Sequence, residues 1–155
     1  MMINIFNFMI KNTTFLSFDY GTKNIGVAVG QKITKSATVL PVIIVKNTII
    51  MWQQIDVLVY SWKPDAIIVG MPYKLDGTYF KKITSITKKF ISQIKLRYNI
   101  NVYPVNEIMS TKEAKNILFQ KGGYKFLRSK SIDSVAAKII LEEWLNNQYA
   151  DKLKI

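Results

Sequence analysis

The stretch TFLSFDYGTKNIGVAVGQ, residues 14–31, decides the fold. Thr14–Asp19 is a short apolar run that ends in an acid and is followed by Gly21, a pattern that predicts a buried strand entering a turn. A second apolar run, Asn24–Gly30, begins only a few residues later. Because so short a connection favours an antiparallel hairpin, the chain is expected to begin its fold with two paired strands.

Strand and helix patterns alternate along the rest of the chain. Further strands are predicted over Ile33–Val45, Asp65–Gly70 and Asn101–Asn106. Helices are predicted over Ile49–Trp62, Tyr79–Tyr98, Ser110–Phe119 and Ile132–Asn146. Pro104 indicates that the last strand lies at a sheet edge, because proline cannot donate to the ladder. Three strands, a helix and then strand, helix, strand, helix and helix predict an α/β domain with a mixed sheet.

Composition restricts the chemistry that the chain can perform. It has 155 residues, a formal net charge of +12, and neither histidine nor cysteine. These absences exclude a Ser-His-Asp triad, a cysteine nucleophile, a disulfide framework and a zinc site built from His or Cys. The positive charge attracts polyanions, so a nucleic acid is the expected partner. The alternative is that AT-rich codons, which favour lysine, account for part of the charge.

The chain is expected to form one domain with short additions at each end. We assign residues 1–13 to an N-terminal extension, 14–149 to the domain and 150–155 to a C-terminal tail. The extension has apolar residues only in short runs broken by Asn, far from the roughly 18 to 20 continuous apolar residues that span a bilayer. It also lacks the basic start and cleavage site of a signal peptide, so we expect a cytoplasmic protein.

Three acids occupy positions that suggest function. Asp19 ends the first strand and Glu107 follows the last one, and ligands of open α/β sheets bind at the carboxyl ends of strands. Asp133 begins an otherwise apolar helical face made of Ala136, Ala137, Ile140, Leu141 and Trp144. The alternatives are that Asp19 caps its turn through backbone amides and that Asp133 stabilises the first turn of a helix.

If these three carboxylates converge, they favour a divalent cation. Like charges at one sheet edge raise one another's pKa unless cations bind between them. Oxygen ligands suit Mg²⁺ or Mn²⁺, and two such ions can activate water and stabilise the leaving oxygen of a phosphodiester. The other acids are expected to be structural or solvated, with Asp56, Glu142 and Glu143 facing solvent and Asp65 at a strand start.

Five segments together resemble one family. They are FDYGTKNIGVAVGQ at 18–31, PDAIIVGMPYKLDGT at 64–78, STKEA at 110–114, GGY at 122–124 and SIDSVAAKIILE at 131–142. In this order they resemble the YqgF (RuvX) family of Holliday junction resolvase-like proteins, also described as pre-16S rRNA nucleases. The resemblance runs from about Phe15 to Glu143, nearly the whole domain.

The resemblance implies an RNase H-like three-layer fold with a five-stranded mixed sheet of order 3-2-1-4-5 and helices on both faces. It also implies a cytoplasmic bacterial protein that processes the 5′ end of the small-subunit ribosomal RNA precursor. The family's acidic site carries over to Asp19, Glu107 and Asp133, which would hold Mg²⁺ or Mn²⁺, as two ions.

One family motif is altered in this chain. Where the family commonly shows D-E-R, this sequence has Asn106-Glu107-Ile108, which keeps the central acid but loses an arginine that could contact phosphate. Basic residues elsewhere are candidates for contacts with the nucleic-acid backbone, and their alternative role is a solvated surface. These candidates are Lys23, Lys74, Lys125, Arg128 and Lys130.

The leading hypothesis is therefore a metal-dependent endonuclease that acts on pre-16S rRNA or on a pre-ribosomal particle, as a monomer or weak dimer. Cleavage of branched DNA, as by a Holliday junction resolvase, is the first alternative. The second is a non-catalytic RNA-binding factor in ribosome assembly, which the altered motif keeps open. ATP hydrolysis by an actin-like site would need two such domains, and this chain provides one.

Overall fold

The computed structural model describes residues 13–21, 23–71, 81–106 and 131–153. The strands are β1 Thr14–Tyr20, β2 Asn24–Gln31, β3 Ser36–Lys46, β4 Ile49–Ile50, β5 Ala66–Met71 and β6 Asn101–Asn106. The helices are α1 Trp52–Trp62, α2 Lys81–Tyr98 and α3 Ser131–Leu153. The helix predicted over 110–119 lies outside the described residues.

The strands form one mixed sheet of order β4-β3-β2-β1-β5-β6. β1 pairs with β2 in antiparallel and with β5 in parallel orientation, and β5 pairs in parallel with β6. Apart from the added strand β4, this is the predicted order 3-2-1-4-5, and β6 with its Pro104 lies at the edge as expected. The carboxyl ends of β1, β5 and β6 consequently lie at the same end of the sheet.

The prediction of five strands was wrong by one. Ile49 and Ile50, expected to begin a helix, instead form β4 and pair with Lys46 and Val45. The intervening Asn47 and Thr48 have φ of 49° and 64°. Positive φ at both central residues is the geometry of a tight two-residue hairpin, and it turns the chain back before α1 can start.

Other boundaries differ by smaller amounts. β3 begins at Ser36 and not at Ile33, because the chain first turns at Lys35, which has φ of 52° and whose N–H donates to the Gln31 carbonyl oxygen at 3.0 Å. α1 ends before Pro64 as predicted. α3 continues to Leu153, beyond the predicted end at Asn146.

Two separate cores cover the two faces of the sheet. Leu16 and Phe18 of β1 face α1 and α2, where they pack with Ile55, Phe90, Ile91 and Ile94 among others. Phe15 faces the other way, toward α3, and packs with Ala137, Ile140, Leu141 and Leu145. Helices therefore cover both faces, as predicted. Among the described helices, none is both long enough and apolar enough to cross a membrane.

Candidate active site

Asp19 is the sixth residue of β1, and its side chain lies on the α3 side of the sheet. Successive side chains of a strand alternate between faces, so Asp19 shares its face with Phe15 and Ser17. Asp19 is only 8% exposed and lies opposite Gly26 of β2. A nearly buried carboxyl group thus stands at the carboxyl end of the first strand, where the sequence places it.

A sharp turn follows β1. A β-carbon at Gly21 would overlap the carbonyl oxygen of Asn24, so this position accepts only glycine without a backbone shift. The N–H of Val45 donates to the carbonyl oxygen of Lys23 at 2.9 Å, which ties the turn to β3. The turn keeps the chain close to the sheet end.

A buried serine fastens the start of α3 to the sheet. The hydroxyl of Ser134 donates to the Leu40 carbonyl oxygen at 2.7 Å and accepts the N–H of Val27 at 3.2 Å. These groups lie where the pairing of β2 with β3 shifts register, between Ile25 and Val27. Ser134 is 1% exposed. Its hydroxyl therefore supplies hydrogen bonds to two backbone groups that the irregular strand pairing would otherwise leave buried and unsatisfied.

A second serine fixes the direction of α3 relative to β1. The Ser17 hydroxyl donates to the Ala137 carbonyl oxygen at 2.7 Å, and the rings of Phe15 and Trp144 lie 4.9 Å apart. Ala137 contacts Ser17, whereas Trp144, later in the helix, contacts Phe15, which is earlier in the strand. Helix α3 therefore runs antiparallel to β1. Its first turn must lie at the Asp19 end of the strand.

This register brings Asp133 to the level of Asp19. From Ser17 to Asp19 the strand advances about 7 Å. From Ala137 back to Asp133 the helix extends by about 6 Å in the same direction. Asp133 is the third residue of α3, and the positions that share its helical face, Ala136, Ala137, Ile140 and Leu141, are buried as predicted. The side chain of Asp133 lies outside what the structure describes.

The third predicted acid follows the edge strand. β6 ends at Asn106, which pairs with Met71 at the end of β5, and β5 is the neighbour of β1. Glu107 is the next residue, outside the described part of the chain, and its place in the site stays a prediction. What the structure shows is that the carboxyl ends of β1 and β6 and the start of α3 lie at the same end of the sheet.

Of the predicted basic contacts, the structure describes Lys23 alone. Lys23 is exposed, in the turn that follows Asp19. The remaining four, Lys74, Lys125, Arg128 and Lys130, lie outside the described residues and stay predictions.

Asp56 is partly exposed, in keeping with the prediction that it is solvated, but it also forms an ion pair that was not predicted. Its carboxylate accepts two hydrogen bonds of 2.7 Å from Arg97 of α2 and one of 2.6 Å from the Tyr98 hydroxyl. These bonds, that of Arg97 foremost, lower the pKa of Asp56 to about 2. Burial, followed by the bond to Asp56, raises the pKa of Tyr98 above its usual value. The group joins α1 to α2.

Two other acids also make contacts with the backbone. Asp65 accepts the N–H of Thr14 at 3.0 Å, in keeping with its predicted place at a strand start. Glu142 was expected to face solvent, but it is half-buried and accepts the N–H of Ala37 at 3.1 Å. It gives α3 a further contact with β3.

Ser17 and Ser134 were not among the residues predicted to matter for the site. Ser17 had a detectable signal, because it is the one hydroxyl within the apolar run FLSFD and lies two residues before Asp19. Ser134 directly follows Asp133, but its role depends on the irregular pairing of β2 with β3, which no local pattern announces.

The donor chemistry of this site suits a hard cation. Asp19 supplies carboxylate oxygens in a nearly buried position, and a chain without His or Cys has no softer ligands to compete. Within the described ranges no three acids cluster to make a metal site by themselves. A complete ligand set would thus need Glu107 and the side chain of Asp133.

Comparison with known proteins identifies the family of this protein. The family model described as "RuvX: Holliday junction resolvase" matches residues 13–147. A protein of Shewanella denitrificans named "Putative pre-16S rRNA nuclease" is 44% identical over 141 residues, 91% of this chain and 99% of that protein. A protein of the same name from Buchnera aphidicola subsp. Baizongia pistaciae is 47% identical over 129 residues, 83% of this chain and 93% of its own length.

Solved structures confirm the fold. The Fowlpox virus resolvase in complex with Holliday junction DNA superposes with a TM-score of 0.55 at 15% identity, over 88% of this chain and 99% of that one. Thermus thermophilus RuvC in complex with a Holliday junction substrate gives 0.54 at 12% identity, over 89% and 96%. The architecture is thus the RNase H-like fold of these resolvases, and the family match and the close relatives together show that the chain belongs to the RuvX (YqgF) family.

Proposed function

We propose that the protein is a metal-dependent endonuclease that hydrolyses phosphodiester bonds in RNA, and that its role is 5′-end maturation of pre-16S rRNA in the bacterial cytoplasm. The observation that supports this most directly is the register of α3 against β1. It brings Asp133 to the level of the nearly buried Asp19 through the Ser17 bond of 2.7 Å. Two acids from distant parts of the sequence thereby reach one end of the sheet.

We assign Asp19, Glu107 and Asp133 as the residues that would hold Mg²⁺ or Mn²⁺, as two ions. Bound between carboxylates, such ions activate water and stabilise the leaving oxygen of a phosphodiester. Asp19, at the end of a central strand and followed by a turn tied to β3, offers a fixed ligand position. Fixed ligands matter because they need no reorganisation when the substrate binds.

The basic residues would position the RNA backbone. Lys23 is exposed in the turn that follows Asp19, and we assign its ammonium group to a contact with a backbone phosphate near that acid. We assign the same role to Lys74, Lys125, Arg128 and Lys130, which the altered Asn106-Glu107-Ile108 segment makes more important. These contacts are electrostatic, and RNA binding should therefore weaken steeply with salt.

RNA is favoured over branched DNA because the relatives at 44% and 47% identity carry the name of an rRNA nuclease. Cleavage of Holliday junctions is the second candidate, since the family description names a resolvase. Competition between a 5′-extended precursor RNA and an immobile four-way DNA junction separates the two. Preferential cutting of the junction would replace RNA with DNA as the substrate.

The decisive experiment compares wild type with Asp19→Asn on a 5′-extended small-subunit rRNA precursor, with Mg²⁺, with Mn²⁺ and with EDTA. Asp65→Asn is the matched control, because it makes the same change at the other end of β1, where Asp65 accepts the N–H of Thr14. We expect metal-dependent cutting by wild type and by the control, and none by Asp19→Asn, which should still bind RNA. Cutting by Asp19→Asn at the wild-type rate would refute the assignment of Asp19.

Binding without cutting by any variant, in every metal and on the assembled ribosomal particle, would identify a non-catalytic assembly factor.

We further propose that residues 14–149 form the functional domain and act as a monomer or weak dimer. Light scattering during RNA binding tests the oligomeric state. A stable dimer at the concentrations used for cleavage would contradict the proposed monomer or weak dimer.

A further inference from the structure

A cavity of about 420 Å³ opens beside the proposed active site on the opposite face of the sheet. Its size lies within the usual range of small-ligand sites, about 300–1,000 Å³. Strand β1, the hairpin that contains β4, and helices α1 and α2 contribute to it. The residues that line it are Tyr20, Thr48, Ile49, Ile50, Trp52, Ile86, Lys89, Phe90 and Gln93.

Three aromatic rings dominate this lining. Phe90 is 1% exposed, and its ring centroid lies 5.2 Å from that of Tyr20 and 5.9 Å from that of Trp52. Tyr20 and Trp52 are themselves half-buried. Both rings pack against the buried Phe90 ring, so the exposed parts of Tyr20 and Trp52 form a preassembled surface against which a flat aromatic ligand can stack.

Arg97, which does not line the cavity, holds the Trp52 ring in place. The guanidinium of Arg97 lies 5.3 Å from the Trp52 ring centroid, a cation–π distance. Asp56 fixes that guanidinium by the two bonds of 2.7 Å described above. Such a fixed ring loses little conformational freedom when a ligand binds, which favours affinity.

The cavity lies next to the proposed active site because the two sites contain consecutive residues of β1. Tyr20 directly follows Asp19, and side-chain alternation sends Tyr20 to the α1 and α2 face while Asp19 faces α3. Both residues lie at the carboxyl end of β1, where the sheet ends. A nucleic-acid strand that crosses this end to reach Asp19 therefore passes beside the cavity.

The chemistry of the lining matches a nucleobase. Aromatic rings stack on the faces of unpaired bases regardless of sequence. Gln93 and Thr48 carry groups able to hydrogen-bond a base edge, and Lys89, which is exposed, carries a charge able to contact the adjoining phosphate. The net charge of +12 favours a polyanionic ligand over a basic or neutral peptide.

We propose that this cavity binds one unstacked base of the single-stranded RNA substrate, and that it thereby sets which phosphodiester reaches Asp19. The proposal rests on the proposed nuclease function for its biological meaning. Base binding can nevertheless be measured without cleavage, since the lining residues are distinct from the three acids.

The test measures the affinity of a fluorescently labelled single-stranded RNA, copied from the 5′ precursor segment, in EDTA and at fixed salt. The protein is Asp19→Asn, to which Trp52→Leu or Lys89→Gln is added. Matched controls are Trp62→Leu, a tryptophan of the same helix that is 40% exposed and outside the lining, and Lys95→Gln on α2. We expect Trp52→Leu to weaken binding by about 5- to 100-fold, and the controls to leave it within about twofold.

A second measurement guards against misfolding of Trp52→Leu. Abasic sites are placed one at a time along the RNA and tested with Asp19→Asn in the otherwise wild-type chain. One position should lose affinity by a similar factor, and the same abasic RNA should bind Trp52→Leu no worse than the intact RNA does. Uniform small losses at every position would overturn the proposal.

These results separate the two proposals. A position-dependent abasic effect without cutting by wild type would support the cavity and refute the nuclease assignment. Cutting by wild type with equal RNA affinity of Trp52→Leu, Trp62→Leu and their parent would refute the base site while the nuclease stands.

Discussion

The two faces of the sheet meet at adjacent residues, Asp19 and Tyr20, and they are built in different ways. On the α3 face, small side chains bring the helix close to the sheet, and two serines bond it to backbone groups. On the other face, large aliphatic and aromatic side chains fill the space beneath α1 and α2. The face that carries the proposed catalytic acids is thus joined to the sheet by the hydrogen bonds of two buried serines in addition to apolar packing.

This difference predicts that the two faces fail in different ways. A change to a fully buried side chain on the α1 and α2 face should mainly lower stability, because the removed volume contributes through burial. A change to a serine on the α3 face should lower activity beyond its effect on stability, because it shifts Asp133 relative to Asp19.

The largest stability loss is expected from Phe90→Ala. Phe90 is 1% exposed and contacts the rings of Phe18, Tyr20 and Trp52, so its truncation leaves a cavity and should cost about 3–5 kcal/mol. Urea denaturation followed by circular dichroism measures this. Leu96→Ala on the same helix is the control, because Leu96 is 87% exposed and should change stability by less than about 0.5 kcal/mol.

Ser134→Ala should separate activity from stability. The change leaves the Val27 N–H and the Leu40 carbonyl oxygen without their serine partner in a buried place, at a cost of about 1–3 kcal/mol. We expect kcat for RNA cleavage to fall at least tenfold at a temperature where the variant is fully folded, with KM little changed. This result would show that Ser134 positions Asp133 in addition to stabilising the fold.

The control for this variant is Ser92→Ala, which removes an exposed hydroxyl that donates to the Lys88 carbonyl oxygen within α2. It should leave both stability and kcat unchanged. A Ser134→Ala protein that loses stability but cleaves at the wild-type rate would show that the serine acts only as a structural tie.

The same contrast explains what the sequence could predict. Strands β1, β2 and β5 were predictable because their apolar runs are nearly continuous and are bounded by turn residues, and Pro104 marked β6 as an edge strand. β4 was not, because two isoleucines before a helical pattern look like helix, and only the positive φ of Asn47 and Thr48 reveals the hairpin. The local pairing of Ile49 and Ile50 with Lys46 and Val45 decided their structure.

The proposed site was predictable to the same degree. The position of Asp19 followed from its place at a strand end, and the level of Asp133 is now supported by the contacts of Ser17 with α3. The Ser134 contacts could not be foreseen, because they depend on a register shift between β2 and β3. The partners of Asp56 were also hidden, since Arg97 lies 41 residues further along the chain.

The smallest expected effect concerns the hydrogen-bonded group of Asp56, Arg97 and Tyr98, which joins α1 to α2. It tests whether the α1 and α2 face is stabilised by apolar volume alone. Bonds from Arg97 and then Tyr98 lower the pKa of Asp56 to about 2, whereas the pKa of an unfolded Asp is about 3.9. A depressed pKa means that the folded state favours the carboxylate, so its contribution to stability is complete above about pH 4 and disappears as the pH falls through about 2. The gap in urea midpoint between wild type and Asp56→Asn should therefore be constant from pH 7 to 5, shrink below pH 4 and narrow with salt, because the group is exposed to solvent. In an Arg97→Gln background the gap should be smaller at every pH, and a gap that instead widened toward pH 2 would mean that Asp56 does not act through its charge.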